Sequence, residues 1–355
     1  MPAVGDLGIP ALLLAFGGAA VATWIAGVFL SRTADALDER LGLGEALGGM
    51  IVLAIAGSLP EVAITVAAAA SGNVDIAAGN LVGGIAIQTV VLVLCDATVR
   101  GDRPLSHLVG SLLPVLEAAL VVVVVAIVLA GSLLPASVAI AGVSPASIAI
   151  VVAWIGGILV LDRARRTPRW KVTMEGSAPG RHHRRVAHPT VPHPYAGAAA
   201  ARVVLVFLAA CLVTLVAGVV LAQAGSALAD AAGVNGVVFG ATILAAATAL
   251  PEVSTGIEAV RLGDHQLAMG DIFGGNAFQV CLFLVADLVA GRPVLPAAGP
   301  ANAWLAALGI ALTTVYAAAV IVRPDRRTAR LGPDSILVVG LFLIGILGLA
   351  TIAEG

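Results

Sequence analysis

Two glutamates stand in almost the same phrase, 191 residues apart: Glu61 in AGSLPEV (56–62) and Glu252 in ATALPEV (247–253). Each follows a proline, Pro60 or Pro251, and each lies inside a long apolar run, the first reading GGMIVLAIAGSLPEVAITVAAAA. Both residue types are out of place there. A charge at mid-bilayer costs roughly 2.5–3.5 kcal/mol on insertion scales, and proline removes a backbone hydrogen bond. Pro60 cannot donate to the Ala56 carbonyl, and Gly57 loosens the same turn; Pro251 frees the Ala247 carbonyl. Carbonyls freed within hydrocarbon must find partners or line a polar cavity. Two carboxylates among such carbonyls make a doubly negative, hard-oxygen site. It suits a divalent cation such as Ca²⁺, which takes about 6–8 oxygens. No Cys or His stands at these positions, which disfavours soft metals.

The repetition continues in the same register. GNLVGGIAIQ (79–88) falls on GDIFGGNAFQ (270–279), and Asp96 falls on Asp287. The identities sit on proline, glycine and polar positions, which apolar bias alone would not select. Gln88 and Gln279 offer a carbonyl that can ligate a cation and an amide that can hold a carboxylate. The glycines suit close helix packing. Asp271 matches Asn80 and reads either as a site element or as a charge favoured at a helix N-terminus. Asp96 and Asp287 read as ion-entrance acids or as interfacial acids beside Arg100 and Arg292. Glu258 reads as interfacial. Glu117 has no repeated counterpart, and its depth makes it a proton-relay candidate.

These residues need membrane helices to position them. The 355-residue chain is 60% hydrophobic and only 11% charged, against about 25% charge in soluble domains. Its apolar runs are long enough to cross a bilayer as helices, and barrel alternation is absent. Ten spans are expected, near 8–30, 43–70, 76–98, 108–131, 136–161, 199–224, 233–260, 266–290, 301–322 and 333–352. The fifth keeps Pro145 as an internal kink. The first reads as a retained span, because no basic region precedes it and its apolar run exceeds a signal peptide's core. Loops after odd-numbered spans carry Arg32 and Arg40, Arg100 and Arg103, eight Lys/Arg between Arg163 and Arg185, Arg261, and Arg323, Arg326, Arg327 and Arg330. Loops after even-numbered spans carry only Arg292. The positive-inside rule therefore puts the odd loops in the cytoplasm and both termini outside.

Residues 1–161 form one five-span repeat, with its motif at 56–96, and 199–355 form the second, with its motif at 247–287. An odd number of spans per half makes the second half enter from the opposite side. The expected fold is all-α and polytopic: ten transmembrane helices as two inverted five-helix repeats, with the site where their broken helices meet. The segment 162–198 between them reads as a solvated cytoplasmic linker. Its His182, His183, His188 and His193 also admit a metal- or pH-sensing reading, though without helical ligand spacing. Its arginines can touch anionic headgroups. Cys95, Cys211 and Cys281 lie far apart inside apolar runs and read as small buried hydrophobes. A net charge of −2 gives no sign of nucleic acid.

At these residues the chain resembles the Ca²⁺/cation antiporter superfamily, which holds the sodium/calcium and proton/calcium exchangers. Its signature runs G-T-S-L-P-E, then G-N-x-x-G-S-N-x-x-N; this chain has AGSLPE and ATALPE, then GNLVGGIAIQ and GDIFGGNAFQ. The resemblance spans both motifs and all ten expected spans. It implies that Glu61 and Glu252 are the central acidic ligands. Ser58 and Thr248 stand at hydroxyl positions, and Gln88 and Gln279 stand where sodium/calcium exchangers carry Asn or Asp. It also implies alternating access, with helices one and six sliding past a rigid core, and no cofactor beyond the transported ions. The T-S pair is reduced to Gly57-Ser58 and Thr248-Ala249, and Gly84 and Gly275 replace the G-S serines. Those losses favour protons over sodium as the counter-ion, while sodium stays open. A cation channel and an intramembrane acid-dyad enzyme are the competing readings; neither calls for a two-fold repeat of helix breaks. The expected partners are the lipid bilayer and inorganic cations; the expected location is the cell membrane.

Overall fold

The computed structural model describes residues 7–41, 57–166, 195 and 197–354. The described residues are almost wholly helical, without a strand. We number the main helices α1 Ile9–Leu41, α2 Leu59–Ala70, α3 Val74–Thr98, α4 Leu113–Ser132, α5 Pro145–Arg166 and α6 Ala200–Ala232. The second half continues with α7 Gly236–Thr248, α8 Leu250–Leu262, α9 His265–Ala290, α10 Gly299–Val322 and α11 Pro333–Glu354. The chain is an integral, multi-pass membrane protein. Among the described residues eight helices are long and apolar enough to cross a bilayer, and α7 with α8 make a ninth as a pair bent by 46°. The second expected span contributes the short apolar helix α2; its earlier half lies outside the described residues.

α1 and α6 are each 33 residues long, stand at corresponding places in the two halves, and pack along one another. Both leave rows of large apolar side chains exposed, among them Leu14, Ile25, Leu205 and Leu212. This is the pattern of helices that face lipid on one side. Among the eight long spans α3 is the most enclosed: 89% of its apolar window is buried, against 22% in α11. Close approach makes that enclosure possible. A Cβ on Gly79 would strike the Val237 backbone of α7, and one on Gly83 would strike Ala241. Small residues of this kind let membrane helices meet without a solvent-driven hydrophobic force.

The proline of the second repeat marks a real break, where α7 and α8 bend by 46°. Ser58 (φ −91°, ψ 13°) and Ala249 (φ −80°, ψ 0°) hold nearly the same backbone at the turns just before α2 and α8. Pro60 and Pro251 then fall in the first turn of the new helix, where the missing N–H is no loss. α7 carries a π-helical stretch, Gly240–Leu244, one turn before its break.

Two sequence expectations are corrected. Pro145 does not kink a helix running from 136; it is the first residue of α5, preceded by the 3₁₀ turn Ala136–Val138. Proline is favoured at a helix start and costly inside one. α1 continues to Leu41, so Arg32 lies within the helix rather than in a loop. The histidines 182, 183, 188 and 193 lie outside the described residues. Cys95 and Cys281 are buried and Cys211 is partly exposed; all three are free thiols.

Candidate functional site

The two motif glutamates sit in the first turns of α2 and α8. Glu61 is 1% exposed, and neither of its carboxylate oxygens has a hydrogen-bond partner. Glu252 has one partnerless buried oxygen and lies within electrostatic reach of both Glu61 and Asp271. An unpaired carboxylate in a low-dielectric interior costs several kcal/mol, so two in one neighbourhood is an arrangement that demands a cation or protons. Thr248, from the last turn of α7, stands beside Glu61, and its hydroxyl donates to the Ala245 carbonyl at 3.1 Å. Ser58 is buried at the start of α2. Ala247 is buried one turn ahead of Pro251, whereas Ala56 lies outside the described residues.

Asp271 faces α8: the Thr255 hydroxyl donates to its Oδ2 at 3.1 Å and also reaches the Glu252 carbonyl at 3.3 Å. The acid is therefore tied to the site helix rather than acting as a helix-end charge. Asn80 and Asn276 are fully buried, and no atom of either side-chain amide has a partner.

The repeat-related glutamines meet. Gln88 Nε2 donates to Gln279 Oε1 at 3.1 Å, and Gln279 Nε2 donates to the backbone carbonyls of Asn80 and Leu81 at 3.2 and 2.9 Å. Gln88 Oε1 keeps a free acceptor. Neither amide holds a carboxylate. Gly84 explains where one missing serine went: a Cβ there would collide with Gln279 Nε2. At Gly275 a Cβ would lie 3.8 Å from Gln88 Oε1, an ordinary contact.

The long helices touch the breaks through glycines. A Cβ on Gly27 of α1 would fall 2.6 Å from the Pro251 ring. One on Gly218 of α6 would fall 2.5 Å from Ala63 Cβ and 3.2 Å from the Pro60 carbonyl oxygen. Gly27 and Gly218 are themselves 191 residues apart. Trp24 of α1 also donates to the Ser254 hydroxyl of α8.

Asp96 and Asp287 are held by backbone and hydroxyl donors rather than by Arg100 and Arg292. Both are fully buried. Asp96 accepts from the Leu105 and Gly332 N–H groups and the Ser335 hydroxyl, each at 2.7 Å. Asp287 accepts from the Val294 N–H at 2.7 Å, the Ser144 N–H at 2.9 Å and the Ser147 hydroxyl at 2.7 Å. Each thus caps the N-terminus of the last long helix of the opposite half, α11 or α5. Satisfied backbone N–H groups and a positive helix end account for a buried carboxylate there. Arg327, not Arg100, approaches Asp96, at 4.0 Å. Glu117 pairs with Arg165 at 2.9 Å, and its second oxygen faces Gly270. Glu258 is exposed beside Arg261.

Thr255, Asn276, Gly27 and Gly218 were not singled out from sequence. Asn276 lies within GDIFGGNAFQ, and the register of 191 residues carries back to 23–27 and 214–218, so the signal was present. Among the described residues no group of three or more His, Cys, Asp or Glu side chains forms a preassembled metal cage.

Paired repeats meeting at broken membrane helices define a transport fold. The sequence model of the family described as sodium/calcium exchanger protein matches residues 11–160 and again 202–353, and the chain belongs to that family. By family it is a membrane cation exchanger and not an enzyme. It is 28% identical over 252 residues to the inner membrane protein YrbG of Escherichia coli (strain K12), covering 71% of each chain. Its fold is shared with the crystal structure of the H⁺/Ca²⁺ exchanger CAX at a TM-score of 0.66 and 15% identity, covering 97% of this chain and 88% of that one. It is also shared with the sodium–calcium exchanger NCX_Mj at 0.58 and 15%, covering 96% and 100%.

Proposed function

We propose that the protein is a secondary antiporter that exchanges Ca²⁺, or a related hard divalent cation, for H⁺ by alternating access. The observation that carries this reading is the pair of repeat-related carboxylates, Glu61 and Glu252, within electrostatic reach at two helix breaks, with buried oxygens left unpaired. The doubly ionised pair binds Ca²⁺; two protons neutralise it instead. The same electrostatics enforces exchange. Moving a buried pair of bare carboxylates past apolar walls is prohibitive, so the site changes sides only when loaded. Ser58, Thr248, Asp271, Asn80 and the free Gln88 oxygen complete the oxygen supply around the pair; Pro251 has no N–H to offer the Ala247 carbonyl, and the sequence implies the same of Pro60 toward Ala56.

Sodium coupling is the second reading, favoured by the buried hydroxyls of Ser58 and Thr248. Proton coupling is preferred because the room for one further hydroxyl, at Gly84, is filled by an amide nitrogen, a donor that cannot bind a cation. We place repeats 1–161 and 199–355 in the cell membrane, with both termini outside and linker 162–198 in the cytoplasm, following the positive-inside rule.

The test is Ca²⁺ flux in reconstituted vesicles with pH and Na⁺ gradients imposed separately. Saturable uptake driven by the pH gradient is expected. Conductance independent of any opposing gradient would overturn antiport, and uptake driven only by Na⁺ would reassign the counter-ion.

A further inference from the structure

The register of 191 residues that pairs Gly27 with Gly218 also pairs Thr23 with Thr214, in TWIAG (23–27) and TLVAG (214–218). Both threonines are fully buried in the middle of a long helix, and neither hydroxyl has a hydrogen-bond partner. This is unusual for the residue type. A helical threonine readily bonds the carbonyl three or four residues back, as Thr33, Thr89, Thr242 and Thr314 do here. Thr65 and Thr313 also lack partners, but Gly256 and Val122 stand at their related positions. Thr23 and Thr214 form the repeat-related pair.

Their placement is set by the glycines. Residues four apart share a helix face, about 5–6 Å between Cβ atoms. Thr23 therefore lies one turn from the contact between Gly27 and Pro251, and Thr214 one turn from the contact between Gly218 and the Pro60 carbonyl. Each proline directly precedes a site glutamate. α1 also packs against the last turn of α7, Ala245–Thr248, which carries the hydroxyl beside Glu61. The two long helices are in contact on either side of these threonines: Phe16 of α1 stands against Gly225 of α6, and Ala26 and Leu30 cluster with Ala210.

We propose that the Thr23 and Thr214 hydroxyls are neutral oxygen ligands of the exchange site, one carried by each long helix. The inference rests on the two-glutamate site proposed above. A hard divalent cation needs about 6–8 oxygens, and the glycines at 84 and 275 leave the motif helices short of hydroxyls. Two ligands on α1 and α6 restore the supply. They also do something the motif ligands cannot. A ligand shifts a conformational equilibrium only through its differential affinity for the two states. Oxygens on α1 and α6 make cation affinity depend on where those helices stand relative to the broken ones, so occupancy and helix position become one variable.

The test uses the full-length protein with Ca²⁺ as the probe, read by vesicle flux and by the Ca²⁺-induced rise in Tm. Thr23→Val and Thr214→Val keep shape and remove the oxygen. Each is expected to raise the KM for Ca²⁺ about tenfold and to shrink the Tm rise, as befits a lost bond to a charged group. Thr→Ser at either position restores both readouts. Thr313→Val removes an equally buried, partnerless hydroxyl away from the breaks and leaves both unchanged. Wild-type KM and Tm rise in the two Val variants would overturn the proposal; where a Val variant does not fold, Thr→Ala is read by the same criterion. Glu61→Gln and Glu252→Gln separate the two readings. Flux lost in these while the Thr variants behave as wild type sinks only the threonine ligands, whereas flux kept in the Glu variants sinks the site itself.

Discussion

Gln88 and Gln279 hydrogen-bond to each other at 3.1 Å across 191 residues of sequence. They occupy the same position in the two repeats, so the contact joins a residue to its own counterpart and marks where the halves meet. Its symmetry is incomplete. Gln279 spends its amide on α3 carbonyls and crowds Gly84, while Gln88 keeps an oxygen free and leaves room at Gly275.

That asymmetry gives opposite outcomes for matched substitutions. Gly84→Ser displaces the Gln279 amide and is expected to destabilise by about 1–3 kcal/mol, as overpacking does. Gly275→Ser meets only an ordinary contact and is expected to stay within about 0.5 kcal/mol. Thermal unfolding of the two variants in detergent checks this; equal losses would contradict it.

Glu61→Gln and Glu252→Gln keep shape and remove a charge. Each is expected to reduce Ca²⁺ exchange by at least about 100-fold, because a divalent cation then loses one of the two repeat-related carboxylates in a low-dielectric site. Ca²⁺ flux at saturating gradient measures it, and near-normal flux in either variant would contradict the assignment.

Asp96 and Asp287 are expected to act through folding rather than transport. Asp96→Ala or Asp287→Ala strands buried N–H groups at the start of α11 or α5, at an expected loss of roughly 3 kcal/mol each. The KM for Ca²⁺ of the folded fraction should match wild type. A changed KM with unchanged stability would point back to an ion-path role.

Arg165→Ala leaves Glu117 buried and uncompensated, which typically costs about 3–5 kcal/mol. Adding Glu117→Gln removes the stranded charge and is expected to recover most of that loss. A double-mutant cycle on thermal stability reads the coupling, and simple additivity would contradict it.

The sequence by itself determined the membrane class, the repeat and the helix break at Pro251. Those follow from composition, from the length of apolar runs and from what Pro251 does to a local hydrogen-bond ladder. It also singled out Glu61 and Glu252 as candidates, since a charge inside such a run has few structural excuses. Pro145 was misread because a proline inside an apolar stretch looks alike whether it kinks a helix or begins one; the turn before it decides. Only the tertiary structure showed that Gln88 bonds Gln279, that Asp96 caps α11 while Asp287 caps α5, and that Gly27 and Gly218 seat against opposite prolines. Each of these joins one repeat to the other. Repetition in sequence says which residues are equivalent, but the rotation of each helix about its own axis sets which of them touch, and that rotation is fixed by packing across the whole bundle.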